Sequence, residues 1–148
     1  MTLFTIGFTK KSAESFFESL ISNGVQLLVD VRRNTHSQLA GFAKGDDLPY
    51  FLRRLGGIAY ASFPDLAPTK ELLSGYRKKE VSWEEYETVY RELVKSRDAC
   101  RQFLLRFANY ETVCLLCSEA TPERCHRRLA AELIAETSDG AVAIRHIL

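Results

Sequence analysis

The chain has 148 residues, 46% hydrophobic and 26% charged, with a formal net charge of +1 at pH 7. One domain of that size can bury about two-thirds of its unfolded surface. The near-neutral balance excludes a surface coated with positive charge for nucleic acid, while clustered arginines leave room for a local basic pocket. No run is long enough to span a membrane and residues 2–11 lack a signal-peptide core. The four cysteines are therefore expected to be reduced, and the setting cytoplasmic.

Residues 2–6 read as a first strand ending at Gly7. Ser12 then opens a helix with Phe16, Phe17, Leu20 and Ile21 on its core face, stopped by Asn23 and Gly24. Residues 26–31 are almost continuously apolar, as in a strand covered on both faces. Asp30 and Arg32 at its end are two residues apart and share a face on extended chain. Residues 32–47 follow neither period, and loops of that length in a compact domain are functional or disordered.

Residues 48–55 form a short predicted helix, stopped by Gly56 and Gly57, and residues 58–63 a third strand. Pro64 and Pro68 mark a connection before a helical piece over 70–76. Ser82 and Glu85 make a capping box for a helix striped with Trp83, Tyr86, Tyr90, Leu93 and Val94. Tyr76, Trp83 and Tyr86 could stack bases, but their helical spacing argues for the core. A break near residues 96–98 precedes a helix carrying Phe103, Leu104 and Phe107. Residues 111–117 read as a buried strand; Thr121 looks like the cap, and Pro122 the first residue, of a helix whose face is Leu129, Ala130, Leu133 and Ile134. Residues 141–147 complete the chain as a strand. This order calls for a single doubly wound α/β domain, Rossmann-like in three layers, with a mostly parallel five-stranded sheet between helices.

The junction after residue 117 gathers the chemistry: Cys117, Glu119, Arg124, Cys125, His126 and Arg127. Ligands of open α/β sheets bind there, beyond the carboxyl ends of the strands. A helix N-terminus with Arg32 and Arg124 or Arg127 suits a phosphate or carboxylate, unless Arg32 only pairs with Asp30 or Glu119. Cys117, ending a strand, is the better-placed nucleophile, with His126 as its base; Cys125 faces the sheet and could simply pack. The segment lacks the His-Cys-x5-Arg loop of thiol phosphatases. Glu119 and His126 could instead do acid–base work with Asp30 orienting the imidazole or a water, or merely accept from helix N–H groups and bond a carbonyl. Cys114 and Cys117 have zinc-knuckle spacing, but three residues apart on a strand they face opposite ways. Zinc would then have only Cys117, Cys125 and His126. Cys100 is most simply core or surface. The basic runs Arg32-Arg33, Arg53-Arg54, Arg77-Lys78-Lys79 and Arg127-Arg128 could line a nucleic-acid track, but acids are interleaved among them.

The stretches Thr5-Ile6-Gly7-Phe8-Thr9, Leu27-Leu28-Val29-Asp30-Val31-Arg32-Arg33, Ile144-Arg145-His146-Ile147 and the block from Leu116 to Arg127 resemble the YeaO-like family described as domain of unknown function 488. The likeness covers nearly the whole chain. Where that family often has Gly-His-Ser after the first strand, this chain has Gly7-Phe8-Thr9, so no histidine carries over. The resemblance implies an α/β domain with a site built from Asp30, Arg32, Glu119, Cys125, His126 and Arg127, and supplies no reaction.

The expectation is a strand-end pocket for an anionic, phosphate-bearing ligand, a nucleotide or a nucleic acid. Arg32, Arg124, Arg127, Gly7 and Thr9 would bind it. The chemistry would be that of a hydrolase or transferase working through Glu119, His126, Cys117, Cys125 and Asp30. The alternatives are a non-catalytic nucleic-acid-associated module and a metal site at Cys117, Cys125 and His126. No cofactor is expected outside that zinc alternative and no membrane partner; the oligomeric state is left open.

Overall fold

Five parallel strands make one sheet in the computed structural model, which describes residues 1–35, 40–119 and 121–148. They are β1 (Thr2–Gly7), β2 (Leu27–Asp30), β3 (Ala59–Ser62), β4 (Thr112–Cys117) and β5 (Ala143–His146), in the order β3-β2-β4-β1-β5. The expected mostly parallel sheet is thus wholly parallel. Its edges, β3 and β5, are only four residues long.

The strand order places β4 at the centre, hydrogen-bonded to β1 on one side and β2 on the other. The chain leaves β2 toward β3 and leaves β4 toward β5, in opposite directions. A crevice opens between adjacent strand ends whose exits part in this way. The fold therefore puts its topological switch at the ends of β2 and β4, where Asp30 and Leu116 are register partners.

Two helices cover one face of the sheet, α1 (Ala13–Ser22) and α2 (Leu48–Gly56). Phe16, Phe17, Leu20 and Leu52 pack there on Phe4, Ile6, Cys114 and Leu116. The other face carries α3 (Lys70–Arg77), α4 (Trp83–Ser96), α5 (Ala99–Arg106) and α6 (His126–Thr137). Tyr90, Phe103, Leu129 and Ile134 pack there with Val113, Leu115 and Cys117. Cys114 and Cys117 accordingly lie on opposite faces, as their spacing requires.

Local signals explain most boundaries. Ser12 and Ser82 accept from the amides of Ser15 and Glu85, as N-caps do. Gly57 ends α2 at φ +61°, a conformation glycine adopts without a Cβ penalty. Asp98, at φ +54°, breaks the chain between α4 and α5. Of the 32–47 loop, residues 41–43 form a single tight turn and residues 36–39 lie outside the described residues.

One expected boundary is corrected. Helix α6 begins at His126 with Cys125 in the cap position, so Thr121 and Pro122 do not start it. Pro122 instead belongs to a turn closed by the Cys125 amide on its carbonyl at 3.3 Å. The reason is tertiary: the segment after Cys117 is tied to the end of β1, where the Thr9 amide donates to the Ser118 carbonyl at 3.1 Å. A chain held over β1 cannot coil until it has turned back over the sheet.

Candidate active site at the end of the central strand

The ends of β2 and β4 share one site. The Val31 amide donates to the Leu116 carbonyl at 3.1 Å, and His126 Nε2 lies 2.8 Å from the Val31 carbonyl. A cavity of about 610 Å³ opens over them, with Cys117, Cys125 and His126 in its floor and Arg32, Glu119 and Arg124 along its wall and rim. The two strand tips expected to meet do meet.

The bond to a carbonyl requires a proton on Nε2 of His126, so its Nδ1 is the nitrogen free to exchange a proton with a neighbour. Cys117 Sγ is that neighbour, 3.6 Å from Nδ1. The hydrogen bond from Cys125 is the largest influence on Cys117 and holds its thiol well below the ordinary cysteine value, against burial and with help from His126. Cys125 is displaced the other way, well above the ordinary value, first by burial and then because its proton serves Cys117. Burial acts to lower His126, but the Cys117 sulfur outweighs it and leaves the imidazole raised. Of the two buried thiols Cys117 is thus the more readily ionised and Cys125 the one that holds its proton, and His126 is the more easily protonated for facing the Cys117 sulfur. Cys114 on the opposite face is raised by burial, and Cys100 is pushed up by burial to about 11.

Arg32 and Asp30 form a buried pair. Arg32 Nε donates to Oδ1 at 2.9 Å and Nη2 to Oδ2 at 2.7 Å, while the Tyr60 hydroxyl donates to Oδ2 at 2.7 Å. Asp30 is therefore bonded to Arg32 and Tyr60 and does not line the cavity. Arg32 does line it, lies over the Phe8 ring at 5.2 Å, and among the described residues its buried Nη1 has no hydrogen-bond partner. Buried guanidinium nitrogens are normally satisfied, and this one is left without a partner on a residue that lines the cavity.

Arg127 is fully buried beneath the loop after β4. Its Nη1 donates to the Glu119 carbonyl and, at 3.8 Å, to Cys125 Sγ, and its Nε donates to Thr5 Oγ1 at 3.4 Å. Thr9 donates from both its amide and its hydroxyl to the Ser118 carbonyl. Gly7 leaves room for the loop to cross. Arg127, Thr9 and Gly7 thus hold the loop in place without lining the cavity, whereas the side chains of Glu119 and Arg124 stand exposed at its rim.

The far wall is built from the aromatic residues whose helical spacing argued for the core. Tyr76 and Trp83 are half-buried and line the cavity with Leu73 and the deeply buried Tyr86. Lys70, Arg77 and Lys78 add positive charge from α3, and Arg33 does so from the other side. The same apolar stripe that marks a core face also lines a cleft, so periodicity alone carried no signal to separate the two. The Arg77-Lys78-Lys79 run, and the capacity of these aromatics to stack on bases, were the legible hints.

The ligand atoms of Cys117, Cys125 and His126 lie within 4.8 Å of one another, so this cluster could hold a metal ion. A His126 whose Nε2–H donates to a carbonyl and which presents Nδ1 is oriented as metal-bound histidines commonly are. Cys117, Cys125 and His126 would be the protein ligands of such an ion.

A wholly parallel α/β domain with a Cys/Cys/His cluster at the switch point of its sheet defines the class. Residues 12–134 match the family described as domain of unknown function DUF488, and the chain belongs to that family. The site lies almost entirely within the matched stretch. No curated protein and no solved structure matches the chain. Among the described residues no helix is long and apolar enough to cross a membrane.

Proposed function

We propose that the cavity binds an anionic, phosphate-bearing ligand and that Cys117 acts on it as the nucleophile of a hydrolase or transferase. The observation that carries this reading is the placement of Cys117: it ends the central strand, faces a cavity rimmed with cations, and has the proton donors Cys125 and His126 at its sulfur. Arg32 Nη1 takes a ligand oxygen, and the rim cations offset its charge.

In the first step Cys117 Sγ forms a bond to phosphorus as the bond to the leaving oxygen breaks. The His126 Nδ1 proton passes to that oxygen. His126, now neutral, accepts a proton from water or from an acceptor hydroxyl, whose oxygen displaces Sγ as thiolate. The exposed carboxylate of Glu119 orients the incoming hydroxyl. Incubation with nucleotide monoesters and anhydrides, followed by intact-protein mass measurement, tests the scheme. A phosphoryl adduct on Cys117 in the wild type, absent in Cys117→Ser, is expected; turnover surviving in Cys117→Ser would overturn it.

The tight Cys117, Cys125 and His126 cluster favours a second reading, a metal ion that activates water at the same place. Elemental analysis of freshly purified protein decides between the two. Stoichiometric zinc lost in both Cys125→Ser and His126→Ala supports the metal, and its absence supports the thiolate. The alternative of a non-catalytic nucleic-acid module would show binding with no turnover on any ester.

A further inference from the structure

We propose that the ligand is a single nucleotide whose base lies against the wall formed by Tyr76 and Trp83 while its phosphate meets Arg32. This rests on the anion-binding reading above and names the ligand class of the same cavity.

The cavity is chemically divided. On one side stands Arg32, 5% exposed, with its Nη1 open among the described residues. On the other side Leu73, Tyr76 and Trp83 present apolar and aromatic surface. Trp83 already has ring partners: Tyr86 stacks on it at 17° with ring centroids 5.1 Å apart, and the Arg128 guanidinium lies 5.9 Å from its centroid. Tyr76 is different. It meets Trp83 at 61° and Tyr86 at 49°, so neither ring lies flat on it. A planar ring can stack on Tyr76 and abut the edge of Trp83 without displacing an existing stack.

A ligand satisfying both sides needs a flat aromatic part and an anionic part joined by a spacer. A nucleoside monophosphate has that form. The volume of about 610 Å³ falls in the range of small-molecule pockets, on the order of 300–1,000 Å³, and holds one such unit rather than a strand.

Trp83 is the sole tryptophan of the chain, so intrinsic fluorescence reports directly on this wall. The wild-type protein would be titrated with the four nucleoside 5′-monophosphates, ribose 5-phosphate, inorganic phosphate and a ten-nucleotide single strand. Saturable quenching is expected with at least one monophosphate, and at least tenfold weaker binding of ribose 5-phosphate. By calorimetry, Tyr76→Ala should weaken the nucleotide at least tenfold and leave phosphate unchanged. Equal affinity for ribose 5-phosphate and the nucleotides would overturn the base wall while leaving the anion site standing. A strand bound tenfold more tightly than any mononucleotide would overturn the single-nucleotide assignment. No binding of any of the probes would overturn both this proposal and the anion reading beneath it. Cys117→Ser serves as the separate control, because nucleotide binding should persist there even where turnover is lost.

Discussion

Gly7 has no side chain at the point where the backbone of Glu119 crosses the end of β1. A Cβ added there would overlap the Glu119 carbonyl and come within 2.8 Å of Arg127 Nη1. The glycine is required by this close approach, since its own backbone is not in the left-handed region. The crossing is what sets the loop, and the loop in turn sets the first turn of α6 with Cys125 and His126. Gly7→Ala should therefore cost about 1–3 kcal/mol, the range of an overpacked core. Urea unfolding measures it; a stability equal to wild type would show that the loop can lift freely.

The Asp30–Arg32 pair gives a second expectation. Truncating one partner of a buried ion pair leaves the other uncompensated, at a cost of about 3–5 kcal/mol. Asp30→Ala should lose that much by denaturant unfolding. Tyr60→Phe removes one hydrogen bond to a charged group and should lose about 1.5–3 kcal/mol. The reverse ranking would mean that the carboxylate owes more to the phenol than to the guanidinium.

Cys117 should be alkylated by iodoacetamide faster, and at lower pH, than Cys100 or Cys114, because only its thiol is held below the ordinary value. The hydrogen bond from Cys125 is the largest cause, so Cys125→Ala should move the pH midpoint of alkylation upward more than His126→Ala does. Mass-mapped alkylation rates from pH 4 to 9, on the order of steps of half a unit around the ordinary thiol value of about 8.5, read this directly. Labelling of Cys100 ahead of Cys117 at neutral pH would contradict the thiolate.

His146 supplies a pH dependence of stability. Its Nδ1 lies 2.6 Å from Thr5 Oγ1, and burial, then the charge of Arg127, lowers its pKa in the fold. A lowered folded value means that the native state binds fewer protons than the unfolded chain. Stability is then fully present above the unfolded value of about 6.5 and is lost as pH falls through the lowered folded value. Urea midpoints for the wild type should therefore decline over that acidic window more steeply than those of His146→Phe. Parallel curves would exclude a contribution from this histidine.

Glu119→Gln separates chemistry from architecture. The loop is held through the Glu119 carbonyl, while its side chain is exposed at the rim. Exposed substitutions of this sort alter stability by no more than about 0.5 kcal/mol. Turnover should fall while melting temperature and nucleotide binding stay constant. Full activity in the variant would remove Glu119 from the reaction.

The sheet was legible because local and tertiary preferences agree along it: apolar runs at β2 and β4, serine caps at Ser12 and Ser82, and a glycine stop at Gly57. Cys117, His126 and Arg32 were legible as a group because strand ends of a parallel sheet converge. The start of α6 was not. Thr121 and Pro122 carry a strong local helix-start signal, overridden by the tie of the loop to Thr9, which is distant in sequence, and by its bond to the buried Arg127. The division of labour among the arginines was equally hidden. Arg127 and Arg124 stand three residues apart, yet one is fully buried as a brace and the other open at the rim.

The brevity of β3 and β5 bears on how copies of this molecule behave when crowded. A parallel sheet can grow by recruiting a neighbour's strand at a bare flank, and long flat borders invite such stacking. Here each border offers only four residues of backbone, and β5 bears the cationic Arg145. Both margins are short, and that of β5 is charged as well, so neither is a ready template for a neighbour's strand.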